Sequence, residues 1–298
     1  MRSILSFLSI SFLTMCLLSC QNSSDDIANE DVVETPIEIL EATTALNVSY
    51  GTHAQQVYDL YLPAGRNSTQ TKTIVLIHGG GWTAGDKSDM TGFISLINTT
   101  HPDHAIVNMN YVLAQAGSIP AFPNQFLDIE VVLTKLINEH EALGISQEFG
   151  LLGVSAGAHL AMMYDYTYDT TDRVKLVANI VGPSDFTDPF YADNPNTSQL
   201  TEVYSDANAY PANADLATLL SPAWAASASS SPTLLFYGNQ DALVPLTNGQ
   251  RLDVALSNAG VEHIFTVYDG GHGNWSTASY LDVQTKLGIY IDSYLAID

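Results

Sequence analysis

The sequence predicts an α/β fold in which helices cover both faces of a mostly parallel central sheet. Short runs of β-branched and other apolar residues recur along the chain, as in buried strands. Segments with helical spacing of apolar residues alternate with these runs. The chain has 298 residues and a 46% hydrophobic composition, which suits one large globular domain.

The predicted sheet begins with two segments, 45–50 and 57–62, which end near Gly51 and Pro63. Their alternation and these breaks favour an antiparallel start. Six further apolar runs are predicted to be buried strands: 73–77, 105–109, 149–154, 176–181, 233–237 and 264–268.

Helices are predicted between the strands. Apolar residues in 125–143 recur at the spacing of one helix face, and Gly144 ends the segment. The other predicted helices are 156–166, 246–259 and 277–295. Segment 186–230 has no regular pattern and is rich in Asn, Pro, Ala, Ser and Tyr. Because so long an irregular segment is uncommon unless it is functional, we expect a small cap-like insertion that faces the substrate.

The N-terminus predicts an exported lipoprotein. One positive charge at Arg2 precedes a mostly apolar run, 4–18, that is too short for a comfortable membrane span. The run ends in Leu-Leu-Ser-Cys, which resembles a bacterial lipobox, a signal cut before its cysteine. An ordinary secretory signal is the alternative. We expect a lipoprotein signal peptide (1–19), an acidic flexible tether (20–43) and the α/β domain (44–298).

Charge and cysteine content limit the partners. The chain has 9 basic and 32 acidic residues, a net charge of −23, which argues against nucleic acid as a partner. The two cysteines are Cys16, inside the leader, and Cys20, the expected lipidation site, so the domain offers no disulfide and no thiolate metal site. We expect no cofactor and no metal.

We expect an anchored protein in the bacterial cell envelope, at the outer membrane, with membrane contact through the lipid alone. Its orientation at that membrane and its oligomeric state are left open by the sequence.

Three residues have the types that acyl transfer requires. Ser155 lies in a G-x-S-x-G motif between a predicted strand and a predicted helix, where a strained turn exposes the hydroxyl. A serine nucleophile needs a base and an acid that orients the base. His272 and Asp241 each follow a predicted strand, at the edge where sites of open α/β sheets collect. They are the predicted base and acid.

A glycine-rich loop supplies candidates for oxyanion binding. The sequence His-Gly-Gly-Gly-Trp at 78–82 follows the predicted strand 73–77. Glycines allow backbone N–H groups to face a developing oxyanion without obstruction by a Cβ atom. We expect the oxyanion hole to contain Gly80 and Gly81, completed by the N–H group of Ala156.

Segments 78–87 (HGGGWTAGDK) and 153–161 (GVSAGAHLA) resemble the hormone-sensitive-lipase-like esterases of the α/β-hydrolase superfamily. The resemblance is closer to the branch with bacterial feruloyl and acetyl esterases, which is related to kynurenine formamidases. It covers about 45–298 and implies an α/β-hydrolase fold with the nucleophile, acid and base named above. Many relatives follow the tyrosine that Tyr111 matches with Arg-Leu. Here Val112 occupies the arginine position, so no contact of that arginine is carried over.

Four aromatic residues near the motif loops are predicted to line the substrate pocket: Trp82, Tyr111, Trp224 and Trp275. Packing in the core or at the rim is the alternative for the tryptophans. Asp185 is a less favoured alternative for the acid, and His159 is expected to pack within its helix.

The expected function is that of a serine carboxylesterase acting on small or aromatic acyl esters, including those on glycans, through an acyl-enzyme. The alternatives are an amidase or formamidase of the same fold, or a non-catalytic surface binding lipoprotein. A peptidase of the prolyl-oligopeptidase type is disfavoured, because no propeller-sized region precedes the domain. The natural substrate and the acyl length are left open.

The lipobox predicts that Cys20→Ala abolishes the incorporation of an alkyne fatty acid into the protein in cells, because the cysteine thiol accepts the lipid. In-gel fluorescence after click labelling measures this. Equal labelling of the wild type and the variant, or of neither, would contradict the lipoprotein assignment.

Overall fold

The computed structural model describes residues 40–297, whose centre is an eight-stranded sheet. The predicted signal peptide, Cys20 and residues 20–39 of the predicted tether lie outside the described residues. The strands are β1 (Thr43–Ser49), β2 (Val57–Leu62), β3 (Thr73–Ile77), β4 (Ala105–Met109), β5 (Phe149–Val154), β6 (Val174–Ile180), β7 (Thr233–Gly238) and β8 (His263–Tyr268).

The strand order across the sheet is β1-β2-β4-β3-β5-β6-β7-β8. The pairs β1/β2 and β2/β4 are antiparallel, and every other neighbouring pair is parallel. The parallel strands place their carboxyl ends at one edge of the sheet. This topology confirms the predicted fold class, including the antiparallel start.

Five helices of eight or more residues pack on the sheet: α1 (Thr91–Thr100), α2 (Asn124–Leu143), α3 (Ala156–Met163), α8 (Leu246–Ala259) and α9 (Thr277–Tyr294). Helix α1 was not predicted, because its sequence TGFISLINTT contains one glycine and four hydroxyl residues of weak helix propensity. Tertiary packing stabilises α1, because Ile94 and Ile97 are buried. The segment predicted as helix 156–166 is α-helical only to Met163 and then continues as a π-helical turn, Tyr164–Tyr168.

Helices on both faces explain why the central strands are apolar throughout. All five residues of β3 are buried. Ile74 and Leu76 face the layer formed by α1 and α9, whereas Val75 and Ile77 face the layer that contains α2, α3 and α8. A parallel strand buried on both faces loses the alternation of an exposed strand.

The predicted insertion contains four short helices: α4 (Pro189–Ala192), α5 (Leu200–Tyr204), α6 (Leu216–Leu219) and α7 (Pro222–Ala225). Backbone hydrogen bonds attach it to the domain: Ala223 N–H donates to the Ser184 carbonyl (2.9 Å), and Phe122 N–H donates to the Tyr204 carbonyl (3.0 Å). Within residues 40–297, no helix combines the length and apolarity needed to cross a membrane.

A buried carboxylate lies in the π-helical turn. The Oδ2 and Oδ1 atoms of Asp165 accept hydrogen bonds from the N–H (2.9 Å) and the hydroxyl (2.7 Å) of Ser231. Burial raises the pKa of Asp165 from 3.8 to about 7; the Ser231 hydrogen bonds oppose this rise, and the charges of Asp169 and Asp172 add to it. The unfolded chain releases this proton at lower pH, so stability falls as the pH rises from about 4 through 7.

Asp165→Asn should flatten this dependence. The asparagine carbonyl can accept from Ser231 N–H and its amide can donate to the Ser231 hydroxyl, which already donates to the Val174 carbonyl at 2.9 Å. Urea unfolding at pH 5 and pH 8 measures the effect. The wild type should lose about 2.5 kcal/mol more than the variant between these values. Equal losses would contradict the raised pKa.

Candidate active site

The turn at Ser155 joins β5 to α3 at the carboxyl edge of the sheet. Ser155 has φ 53° and ψ −121°, a conformation that a non-glycine residue rarely adopts. Its N–H donates to the carbonyl of Ile180 at the end of β6 (2.8 Å). A Cβ atom at Gly157 would lie 2.2 Å from the Ile77 oxygen, and one at Gly153 would lie 2.4 Å from the Ala158 nitrogen. Both glycines of the motif are therefore required by close backbone approach.

The structure brings together the three side chains that the sequence analysis singled out. His272 Nε2 lies 2.9 Å from Ser155 Oγ, and His272 Nδ1 lies 2.7 Å from Asp241 Oδ2. A carboxylate only accepts, so His272 carries its hydrogen on Nδ1 and presents the Nε2 lone pair to the serine hydroxyl. This arrangement can remove a proton from Ser155 as it attacks a carbonyl carbon.

Asp241 is held as an ionised carboxylate. Its Oδ1 accepts hydrogen bonds from the N–H groups of Leu243 (2.8 Å) and Val244 (2.9 Å). Burial opposes ionisation, but the hydrogen bonds from His272, Val244 and Leu243 outweigh it and hold the pKa of Asp241 below 3.8. The carboxylate therefore keeps its charge and fixes the orientation of the imidazole.

The loops that carry the acid and the base are joined to each other. Gln240 N–H donates to the Gly270 carbonyl (2.8 Å), and the Gln240 amide donates to Asp269 Oδ1 (2.7 Å). In the loop that carries His272, Trp275 Nε1–H donates to the Gly271 carbonyl (3.0 Å). These bonds restrict the relative movement of Asp241 and His272.

The glycine-rich loop after β3 approaches Ser155 from the side. Gly80 and Gly81 have positive φ angles of 112° and 57°, and a Cβ atom at Gly80 would lie 2.0 Å from the Ala84 oxygen. Among residues 40–297, no backbone carbonyl accepts a hydrogen bond from the N–H group of Gly80, Gly81 or Ala156. These three N–H groups therefore remain candidate donors to an oxyanion.

Tyr111 does not line a pocket, so that prediction is wrong. Its side chain is completely buried, and its hydroxyl donates to the carbonyls of His78 (3.0 Å) and Gly79 (3.3 Å). The ring also stacks on His78, with centroids 4.3 Å apart. Tyr111 therefore supports the glycine-rich loop from inside the domain.

Trp82 is likewise a core residue, and its predicted place in the pocket is wrong. Its φ of 65° turns the side chain inward, where it packs against Phe122 and Phe186. Its carbonyl accepts hydrogen bonds from the N–H of Ala114 (2.9 Å) and the side-chain amide of Gln125 (2.8 Å). These contacts anchor the end of the glycine-rich loop.

The other two tryptophans differ from each other in exposure. Trp275 is mostly buried against Tyr268, and its remaining surface lines an apolar groove of about 250 Å³ between α1 and α9. Trp224, on α7, is 61% exposed, and its Nε1–H donates to Thr187 Oγ1 (3.3 Å). For both residues, contact with substrate stays a prediction.

Asp185 is engaged elsewhere and does not contact His272. It is buried, and its Oδ2 accepts a hydrogen bond from Arg251 Nη1 at 2.8 Å. The chain order favoured Asp241 as the acid, and the geometry agrees. Among residues 40–297, no cluster of three or more histidine, cysteine or carboxylate side chains is arranged to hold a metal ion.

His159 packs within its helix, as expected, and also makes two polar contacts that the sequence did not predict. This histidine is completely buried on α3; its Nδ1 accepts from Trp82 Nε1–H (3.2 Å), and its Nε2–H donates to the Leu220 carbonyl (2.8 Å). Burial lowers its pKa to about 4, against the opposing effect of the Leu220 bond, so it stays neutral. It therefore joins the nucleophile helix to the glycine-rich loop and to the insertion. One sequence feature could have predicted these contacts: His159 is a polar residue in a segment of small and apolar residues. A buried polar side chain needs a hydrogen-bond partner.

Comparison with known proteins places this site in a family context. The BD-FAE family model, an α/β-hydrolase family, matches residues 58–256, more than half of the chain. A comparison with curated proteins gives no match.

Solved structures share the fold at low sequence identity. A truncated carbohydrate esterase from gut microbiota is 21% identical, with a TM-score of 0.66, over 86% of this chain and 98% of that one. An acetyl ester-xyloside bifunctional hydrolase from Caldicellulosiruptor lactoaceticus is 18% identical, with a TM-score of 0.66, over 88% and 99%. An esterase from Thermogutta terrifontis is 16% identical, with a TM-score of 0.68, over 86% and 93%.

His159→Phe should lower kcat for p-nitrophenyl acetate by about tenfold or more, with little change in KM. The substitution leaves Trp82 Nε1–H unpaired, so the loop that carries Gly80 and Gly81 loses its fixed position, and these donors act mainly on the transition state. Steady-state kinetics of the folded variant measure the effect.

The double variant His159→Phe/Trp82→Phe is the control, because it removes both polar partners and should recover part of the lost kcat. A fall in melting temperature with no change in kcat would contradict the positioning role.

Proposed function

Because the chain belongs to the BD-FAE family of α/β-hydrolases, we propose that it is a serine carboxylesterase. It cleaves small or aromatic acyl esters through a covalent acyl-enzyme. The observation that carries the proposal is the unbroken series of hydrogen bonds from Ser155 through His272 to Asp241. The free N–H groups beside Ser155 support it.

The proposed reaction begins when Ser155 Oγ attacks the ester carbonyl carbon and His272 Nε2 accepts the hydroxyl proton. Asp241 remains ionised and stabilises the imidazolium that forms. The imidazolium then gives the proton to the departing alcohol oxygen, and the acyl group stays on Ser155. Water, activated by the same nitrogen, attacks the acyl-enzyme, releases the acid and restores the serine.

The oxyanion formed in both tetrahedral intermediates faces Gly80, Gly81 and Ala156. Each backbone donor can contribute about 3 kcal/mol of transition-state stabilisation, because it is already oriented before the reaction. Both glycines have positive φ angles, and neither carries a Cβ atom that could obstruct an oxyanion.

We propose that the alcohol part of the ester substrate is a sugar. Two of the solved structures that share the fold are described as a carbohydrate esterase and an acetyl ester-xyloside hydrolase. The net charge of −23 disfavours anionic substrates, although salt limits the range of this effect to about 8 Å. We therefore propose neutral acyl esters of glycans as the substrate class.

Ser155→Ala should reduce hydrolysis of p-nitrophenyl acetate to less than a hundredth of the wild-type kcat, because no other group in the site can form the acyl-enzyme. Circular dichroism checks that the variant is folded. A folded variant that retains a tenth or more of the activity would contradict the assignment.

A substrate panel separates the esterase from its alternatives. The wild type should hydrolyse acetyl and feruloyl esters faster than N-formylkynurenine, and acyl chains of 12 or more carbons least. Preference for the formamide would indicate an amidase, and inactivity on the whole panel would indicate a binding protein.

A further inference from the structure

One aromatic side chain of the insertion is held open to solvent in a fixed orientation. Trp224 is 61% exposed, which is unusual for the largest apolar side chain, and its indole N–H is satisfied by Thr187 Oγ1 at 3.3 Å. By contrast, Tyr191 of the same insertion is buried. The indole is held at its N–H edge, and most of the residue remains exposed.

An ion pair between a buried carboxylate and a partly exposed arginine anchors this orientation. The Thr187 hydroxyl that accepts from Trp224 donates to Asp185 Oδ1 at 2.6 Å. The other oxygen of this buried carboxylate accepts from Arg251 Nη1 at 2.8 Å. Trp224 is thus connected through two side chains to helix α8. A side chain ordered before binding loses little conformational entropy when a ligand contacts it.

The segment that holds Trp224 lies between the glycine-rich loop and the acid loop. Phe186, next to Thr187, packs against Trp82 with ring centroids 6.0 Å apart. Tyr191 donates from its hydroxyl to the carbonyl of Leu243 (3.2 Å), two residues after the acid. Trp224 is therefore hydrogen-bonded to a segment that contacts both the glycine-rich loop and the acid loop.

The chemistry around the indole suits a sugar ring. A pyranose presents an apolar C–H face that stacks on an aromatic ring and hydroxyls that need polar partners. Arg251, whose side chain is 41% exposed, supplies N–H donors next to the anchoring carboxylate. The strongly acidic chain disfavours an anionic ring.

We propose that Trp224 is a stacking platform for a neutral pyranose ring of a glycan ester, on the alcohol side of the scissile bond. The proposal rests on the proposed esterase function and adds to it a specific binding residue. Thr187, Asp185 and Arg251 act as positioning residues for the indole.

The test compares two substrates of different size. Trp224→Ala should raise KM for acetylated xylo-oligosaccharides by about tenfold, and the loss of kcat/KM should be at least fivefold greater than for p-nitrophenyl acetate. Trp224→Phe should retain most of the affinity, and Thr187→Val should fall between the two. Leu46→Ala is the matched control, because Leu46 is also 61% exposed but lies on the edge strand β1. Leu46→Ala should leave KM and kcat unchanged for both substrates.

A binding measurement separates this proposal from the esterase function. Titration of unacetylated xylohexaose should change the tryptophan fluorescence of the wild type and of Ser155→Ala, but not of Trp224→Ala. If that result came with no hydrolysis of any ester, the platform would stand and the esterase would fail. Equal kinetic losses on both substrates, no loss on either, or a loss confined to p-nitrophenyl acetate would overturn the platform.

Discussion

The close approach of helix α3 to the end of strand β3 is the constraint on which the site depends. At Gly157 the backbone passes so near the Ile77 carbonyl that no Cβ atom fits between them. This contact sets the first turn of α3 beside the glycine-rich loop that leaves β3. As a result, the glycine-rich loop lies against Ser155: a Cβ atom at Gly79 would be 3.2 Å from the Ser155 Cβ atom. In this arrangement Ser155 adopts a positive φ angle, which is a strained backbone conformation for a non-glycine residue.

The glycine-rich loop would not keep its position through its own sequence, because glycine restricts the backbone least of all residues. Polar contacts from inside the domain supply the restriction. The Tyr111 hydroxyl binds the carbonyls of His78 and Gly79, and His159 holds the indole of Trp82. Each of these side chains is buried, so each polar contact is strengthened by the low dielectric and costly to break. The candidate oxyanion donors are therefore positioned by residues that no substrate touches.

The opposite side of the site is organised around two carboxylates with different roles. Asp241 binds His272, whereas Asp185 binds Arg251 and orients the segment that leads into the insertion. The loop that carries Asp241 thus serves the proposed chemistry, whereas the segment that carries Asp185 serves the proposed recognition of substrate. Exposed side chains such as Trp224 and Leu243 can vary there without disturbing the hydrogen bonds that hold the base.

The sequence by itself determined the strands, four of the five main helices and the Ser-Asp-His order, because these follow from local periodicity and from spacing along the chain. It also determined which glycines the turns require. Tertiary structure alone decided where the aromatic residues point. Trp82 is buried against Phe122 and His159, which come from segments far along the chain. Helix α1 also depends on tertiary structure, because its packing partners are not encoded by any local pattern. The same holds for His159, which is neutral and makes two hydrogen bonds to distant residues.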